Sequence, residues 1–427
     1  MNSVSPNTIS VNGHAPYAPP NSISTSIETT SNSSDIELIF LGTGTSSSIP
    51  HVDCLTAPPD RRPCKTCLLT LRPEGKKNIR RNTSAAVRIT GKDGKTTTIV
   101  IDVGKNFQAA ALEWFPKYGL REIHAVLITH AHADAMNGLD DLRGWTLGCA
   151  IQQHIDVYVS QTTFKEIQRT FPYLVSREFA SGGGDVPEFK WHIIEDKVPF
   201  EIKDTGIRVT PFLVHHGRLF TTNPPPAFTP TPCVTQPTTP THISGHSSPS
   251  RTSMVEGGSE TTTKVHPYLC FGFMIQDAIV YMSDVSLIPD DAWAVIESEV
   301  RQRSVLVIDC LRLRAHTSHM GVREAAATIR RLGATRSYMI GFSHGISHEE
   351  YVTIGEAAGE EEPLVGELEN GLSASERRKM LSESERKGVA MVREEKTEGK
   401  SYWVRPSHDG LRVFISSDGS VRDETYE

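Results

Sequence analysis

The chain has 427 residues, 44 Lys or Arg against 51 Asp or Glu, and a net charge of −7. Hydrophobic residues make up 37%, low for a fully packed chain but enough at this length for a substantial core. No apolar run approaches the roughly 18 residues of a membrane span, Gly and Pro follow no collagen period, and the mild acidity argues against a DNA-coating protein.

Residues 1–34 contain no Lys or Arg and are dominated by Ser, Asn, Thr and Pro. They lack the basic start and apolar block of a secretory signal and the Arg of a mitochondrial presequence. A disordered tail is expected, with cytosol, shared or not with the nucleus, as the location. Order is expected from Ile36. Residues 36–41 read as an apolar strand running into the small-residue turn Gly42-Thr43-Gly44-Thr45. Residues 85–89 and 98–102 read as strands joined by a hairpin turn. Residues 107–118 have helical spacing, with Ala110, Leu112, Trp114 and Phe115 for the core. A strand at 125–128 ends in a histidine-rich loop, and 139–147 reads as a helix.

The second half continues in the same style. Strands are expected at 207–214, 268–275, 278–282, 305–308, 338–341 and 411–415, with a helix at 323–332. The strands at 278–282 and 305–308 are each followed closely by an aspartate. This alternation fits helices covering stacked, mixed sheets, an α/β class with α+β character, better than a pure parallel sheet. Two segments interrupt it. Residues 222–264, rich in Pro, Ser and Thr, read as a disordered insert. Residues 354–400 are Glu-rich; within them 375–386 reads as a solvated helix, with Ser373 and Glu376 as its capping box.

The strongest chemical signal is Thr129-His130-Ala131-His132-Ala133-Asp134. In an extended loop, residues at i, i+2 and i+4 point to one side. Two imidazoles and a carboxylate would converge there, a donor set suited to Zn, Mn or Fe.

This run resembles the metal-binding signature of the metallo-β-lactamase superfamily. The order of further pieces resembles the branch containing the bacterial phosphoribosyl cyclic phosphodiesterase of phosphonate breakdown. Those pieces are Leu41-Gly42-Thr43-Gly44 with Ile49-Pro50, an early cysteine cluster, Ile101-Asp102-Val103-Gly104, Val214-His215-His216-Gly217, Met282-Ser283-Asp284, Asp309-Cys310, and Ser343-His344 with His348. The resemblance runs from about Ile36 to Thr353 and implies one four-layer αββα sandwich over 35–427. It further implies a first metal held by His130, His132, His216 and Asp284. Asp284 would bridge to a second metal held by Asp134 and His344. One departure matters: Ala135 stands where the family's signature has its last histidine. Three protein ligands can still hold an ion, and Asp140 or Asp141 is a weaker substitute. A dinuclear centre of Zn or Mn is the expectation, with one ion as the alternative.

Cys54, Cys64 and Cys67 form a second cluster whose C-x-x-C half is a common structural zinc pattern. A closed tetrahedral site needs a fourth ligand. The resemblance supplies His348, with His51 in reserve. Cys149, Cys270 and Cys310 read as core thiols. Seven cysteines, odd in number and sparse, need no disulfide pairing in a reducing compartment.

The expected activity is that of a metal-dependent phosphodiesterase on a small or cyclic phosphate ester. His319 and Asp134 are the catalytic candidates. His319, before the helix at 323–332, would be the general acid, with His316 close enough in sequence to be confused with it. Arg218, Arg312 and Arg314 lie in loops near these residues, but no substrate anchor is assigned. Alternatives are a hydrolase of another ester, a lactone or thioester, or an interaction protein with a decayed site. A nucleic-acid substrate is disfavoured because the insert carries only Arg251 and Lys264 as basic residues. No membrane partner is expected, and the oligomeric state is left open.

Overall fold

Fifteen strands form two mixed sheets in the computed structural model, which describes residues 36–61, 64–91, 94–220, 266–299, 303–359, 380–395 and 401–426. The first sheet contains β1 (Ile36–Gly42), β2 (Ser84–Thr90), β3 (Thr96–Ile101), β4 (Ala125–Leu127), β5 (Ile155–Val159) and β6 (Phe189–Ile193). The second contains β7 (Phe200–Ile202), β8 (Ile207–Leu219), β9 (His266–Ile275), β10 (Ile279–Met282), β11 (Val305–Asp309), β12 (Arg336–Ile340) and β13 (Val404–Pro406). The last two strands, β14 (Arg412–Ile415) and β15 (Val421–Glu424), return to the first sheet, whose order is β15-β14-β1-β2-β3-β4-β5-β6. The first strand therefore sits between β2 and β14, antiparallel to both. The second sheet runs β13-β12-β11-β10-β9-β8-β7.

Strand periodicity of two assigns the layers. Ile36, Leu38 and Phe40 of β1 face a core shared with Phe273, Tyr281, Val307 and Tyr338 of the other sheet. Ile39 and Leu41 face the opposite way, into a core with helix α1 (Phe107–Tyr118) and Ile167 of α2 (Gln161–Thr170). Leu306 and Ile308 of β11 face outward onto α3 (Asp290–Glu299), α4 (Val322–Leu332), α5 (His348–Glu356) and α6 (Glu383–Glu394). The order of layers is α, β, β, α, a four-layer sandwich as expected.

Local differences have local causes. Helix α1 buries Phe107, Ala110, Ala111, Trp114 and Phe115, spaced by three and four, so Leu112 is left 72% exposed. Residues 139–149 form three short turns rather than one helix, with Gly148 and Cys149 in left-handed backbone. Cys149 is exposed, whereas Cys270 and Cys310 are buried. The charged segment does carry a helix, α6, but its capping box is Ser382 with Glu385; Ser373 and Glu376 lie outside the described residues, as do 1–34 and 222–264.

Candidate metal centre

Strand ends converge on one rim of the sandwich. His130 and His132 follow β4. The Thr129 carbonyl accepts from the Phe271 N–H at 2.9 Å, pinning the histidine loop to the other sheet. His216 lies in β8 where its pairing with β9 shifts register between His215 and Arg218. Gly217 (φ +80) makes this bend, and a Cβ there would lie 3.0 Å from the Ser318 Cβ. Asp284 follows β10.

The rings of His130, His132 and His216 lie 4.6–5.1 Å apart, centroid to centroid. One nitrogen of each falls within 4.8 Å of the others. Two of the three outer nitrogens are already engaged. His216 Nδ1 faces the Ser318 carbonyl at 2.8 Å. His130 Nδ1 meets the Thr129 hydroxyl at 2.8 Å, and that hydroxyl donates to Asp102 at 2.7 Å. His132 stacks flat on Tyr268, with 4.6 Å between ring centroids. Such outer bonds fix the tautomer and present the other nitrogen to an ion. His130 Nε2 is buried and has no protein partner.

Electrostatics agree with ligation. Burial, with the other imidazoles, pushes His130 down to about 3 and His132 to about 4, so both are neutral at pH 7. Asp284 stays ionised: burial would raise it, but His216, His130 and His319 bring it to about 2. Its carboxylate is 3.8 Å from His216 Nε2. Three imidazoles and one carboxylate fit a single divalent ion.

His319 faces this group from the loop before α4, its ring 4.8 Å from that of His216. Its Nδ1 donates to Asp309 Oδ2 at 2.8 Å. Burial would lower its affinity for a proton; the charge and hydrogen bond of Asp309, with Asp284, outweigh this and lift it to about 9. Asp309, fully buried at the end of β11, also accepts from the N–H groups of Val285 and Met320. Its role was not read from the sequence, although its place beyond an apolar strand was visible. His316 is exposed, and its Nδ1 is turned to the Ser318 hydroxyl.

The second-metal set does not assemble. Asp134 belongs to no group of three donors among the described residues, although burial and nearby Asp284 raise it to about 6. His344 is elsewhere: its Nδ1 lies 3.2, 3.6 and 3.6 Å from the sulfurs of Cys54, Cys64 and Cys67. Tetrahedral zinc with ordinary bond lengths spaces such atoms by about 3.6 Å. Burial pushes the Cys67 thiol up to about 12; a divalent cation would reverse that by taking thiolates.

His344 thus replaces His348 as the fourth donor, and the cause is the path of the loop after β12. Fully buried Arg80 donates to the carbonyls of Ser343 at 2.6 Å and Ile346 at 3.0 Å, curling the loop toward the cysteines. His348 instead opens α5, its N–H bonded to Asn78 and its ring 5.4 Å from that of His408. His51 stacks on His344 at 4.0 Å and donates its backbone N–H to Cys67.

The family model of the β-lactamase superfamily domain matches residues 97–342. An octanoyltransferase from Porphyromonas gingivalis is 32% identical over 183 residues, 42% of this chain and 31% of that protein. The chain therefore spans about a third of the length of that curated relative. Similar solved structures include a diphosphatase from the PhnP family, 19% identical, covering 89% of this chain and 98% of that one, with a TM-score of 0.52. Another is zinc-bound PqqB from Methylobacterium extorquens, 15% identical, covering 89% and 100%, with a TM-score of 0.50. Both likenesses concern the fold. Among the described residues no helix is long and apolar enough to cross a membrane.

Proposed function

Given that the chain belongs to the β-lactamase superfamily domain family, we propose that it is a metal-dependent phosphodiesterase acting on a small or cyclic phosphate ester. The observation that carries this reading is the pairing of two unlike histidine sets. Three imidazoles, two bonded through an outer nitrogen and the third stacked on Tyr268, are grouped so that they could hold an ion. A fourth, His319, is held charged by Asp309 beside them. A zinc or manganese ion held by His130, His132, His216 and Asp284 supplies Lewis-acid chemistry toward a phosphate ester.

The protein's own groups then divide the work. His319 carries a proton on Nε2 at neutral pH and can deliver it to the departing alkoxide oxygen. Asp309 fixes the tautomer and the ring plane through Nδ1. Tyr268 supports His132 by stacking on its outer face. A diphosphatase among the similar folds fits a phosphate substrate. The cysteine cluster with His344 is read as a structural zinc site that anchors the loop after β12.

The test is turnover of bis-(p-nitrophenyl) phosphate by the purified full chain with Zn²⁺, Mn²⁺, Ni²⁺ or Co²⁺ added singly. Hydrolysis that disappears in His132→Ala is expected. Failure with all four ions would sink the phosphodiesterase reading.

A further inference from the structure

We infer that Lys105 is a substrate anchor: its ammonium, held between the 44–48 loop and Asp134, takes an oxygen of the phosphate ester. The inference deepens the proposed function and rests on it for the identity of the ligand.

The placement follows from the strand ends. β1 runs antiparallel to β2, β2 antiparallel to β3, and β3 parallel to β4. β1, β3 and β4 therefore all end on the rim that carries His130 and His132. The chain leaving β3 lies flat on the histidine loop. Asp102 accepts from the Thr129 N–H at 2.8 Å. The Val103 N–H donates to the Ala135 carbonyl at 2.8 Å, and the Val103 carbonyl accepts from the Gly138 N–H at 2.8 Å. At Gly104 an added Cβ would lie 2.0 Å from the Asp134 carbonyl oxygen. Exposed Lys105 comes next, so its neighbours fix its Cα beside Asp134. Its charge is felt there: burial and Asp284 raise Asp134, and Lys105 is among the groups that oppose them.

On its other side the ammonium donates to the Ser46 carbonyl in the loop after β1. That loop does not need the lysine to hold its shape. Buried Asn82 donates through Nδ2 to the carbonyls of Thr45 at 2.9 Å and Ser46 at 3.3 Å, and to the Ser48 hydroxyl at 3.1 Å. Asn106 donates to the same hydroxyl at 2.7 Å and accepts from the Asn82 N–H at 2.9 Å. The loop thus holds the lysine, rather than the reverse. An ammonium has three protons, and two remain for an incoming anion. Ser46 and Ser47 are exposed beside this contact. A charge positioned in advance loses little freedom on binding, and lysine serves phosphate as a point charge. Arg218, by contrast, is stacked on Phe220, 5.3 Å from the ring centroid.

The experiment uses the full chain loaded with Zn²⁺ and compares Lys105→Ala and Lys105→Arg with the unmodified chain. With bis-(p-nitrophenyl) phosphate, Lys105→Ala should raise KM by roughly 10- to 100-fold and leave kcat nearly unchanged. Lys105→Arg should recover most of that loss. Calorimetry should show inorganic phosphate binding more weakly to Lys105→Ala, by the same order. Zinc content and Tm should not change, because the side chain is exposed and the loop keeps its own bonds. A lowered Tm with KM and phosphate affinity unmoved would show a structural role and overturn the anchor. If the unmodified chain turns over no diester while Lys105→Ala still weakens phosphate binding, the phosphodiesterase reading falls and the anchor stands. If turnover is normal and Lys105→Ala changes neither KM nor phosphate affinity, the anchor falls and the phosphodiesterase reading stands.

Discussion

His319 owes its charge to Asp309. In the proposed reaction its protonated form is the active one, so turnover should fall as pH rises through about 9. Asp309→Asn removes the carboxylate that raises it, and the alkaline limb should move down toward the ordinary histidine range near about 6.5. A merely structural role for Asp309 would lower kcat without moving that limb. His319→Gln should lower kcat by roughly 10²- to 10⁴-fold while leaving zinc content unchanged. These residues differ in how visible they are in the sequence. His130 and His132 announce themselves because the donors are two apart behind a strand. His216, Asp284 and His319 follow from strand ends and a helix entry. His344 takes the place expected of His348 because Arg80, more than 260 residues earlier in the chain, sets the loop by bonding to carbonyls. Nothing in the local spacing of the two histidines encodes that.

Elements show the same division. The strands around the site were legible as apolar runs with aspartate or histidine at their ends. The capping box of α6 follows the Ser-x-x-Glu pattern: Ser382 caps Glu383–Glu394, where Val389 and Val392 pack against the core. Ser373 and Glu376, the pair expected from the sequence, lie outside the described residues. Ser382 accepts from the Glu385 N–H and donates to Glu350 of α5. Ser382→Ala should therefore cost about 1 kcal/mol in chemical denaturation without changing turnover. The bend in β8 is more demanding. In Gly217→Ala the Cβ meets Ser318, whose carbonyl holds His216, and the backbone is left-handed. Weaker zinc retention at the histidine centre is expected, measured by competition with a chelator.

At the scale of the molecule, stability and site share one frame. The inter-sheet core is continuous from Phe40 and Tyr338 to Phe273 and Tyr281, and the rims of both sheets carry the ligands. Phe273→Ala should destabilise by about 3–5 kcal/mol, with the loss of metal following from unfolding rather than preceding it. Stripping the cysteine site acts from the rim inward. If zinc is present at 100 times its Kd, its removal costs about 2.7 kcal/mol, so a strong chelator should lower the Tm by several degrees even in His132→Ala. The position of β1 bears on synthesis as well. Glu37 on β1 pairs with Arg412 on β14 across 375 residues. A ribosome adding about 5–20 residues per second takes on the order of 20–75 s to cover that distance. During that interval one hydrogen-bonding edge of β1 lacks its β14 partner, and an unpaired strand edge is a template for pairing with another chain.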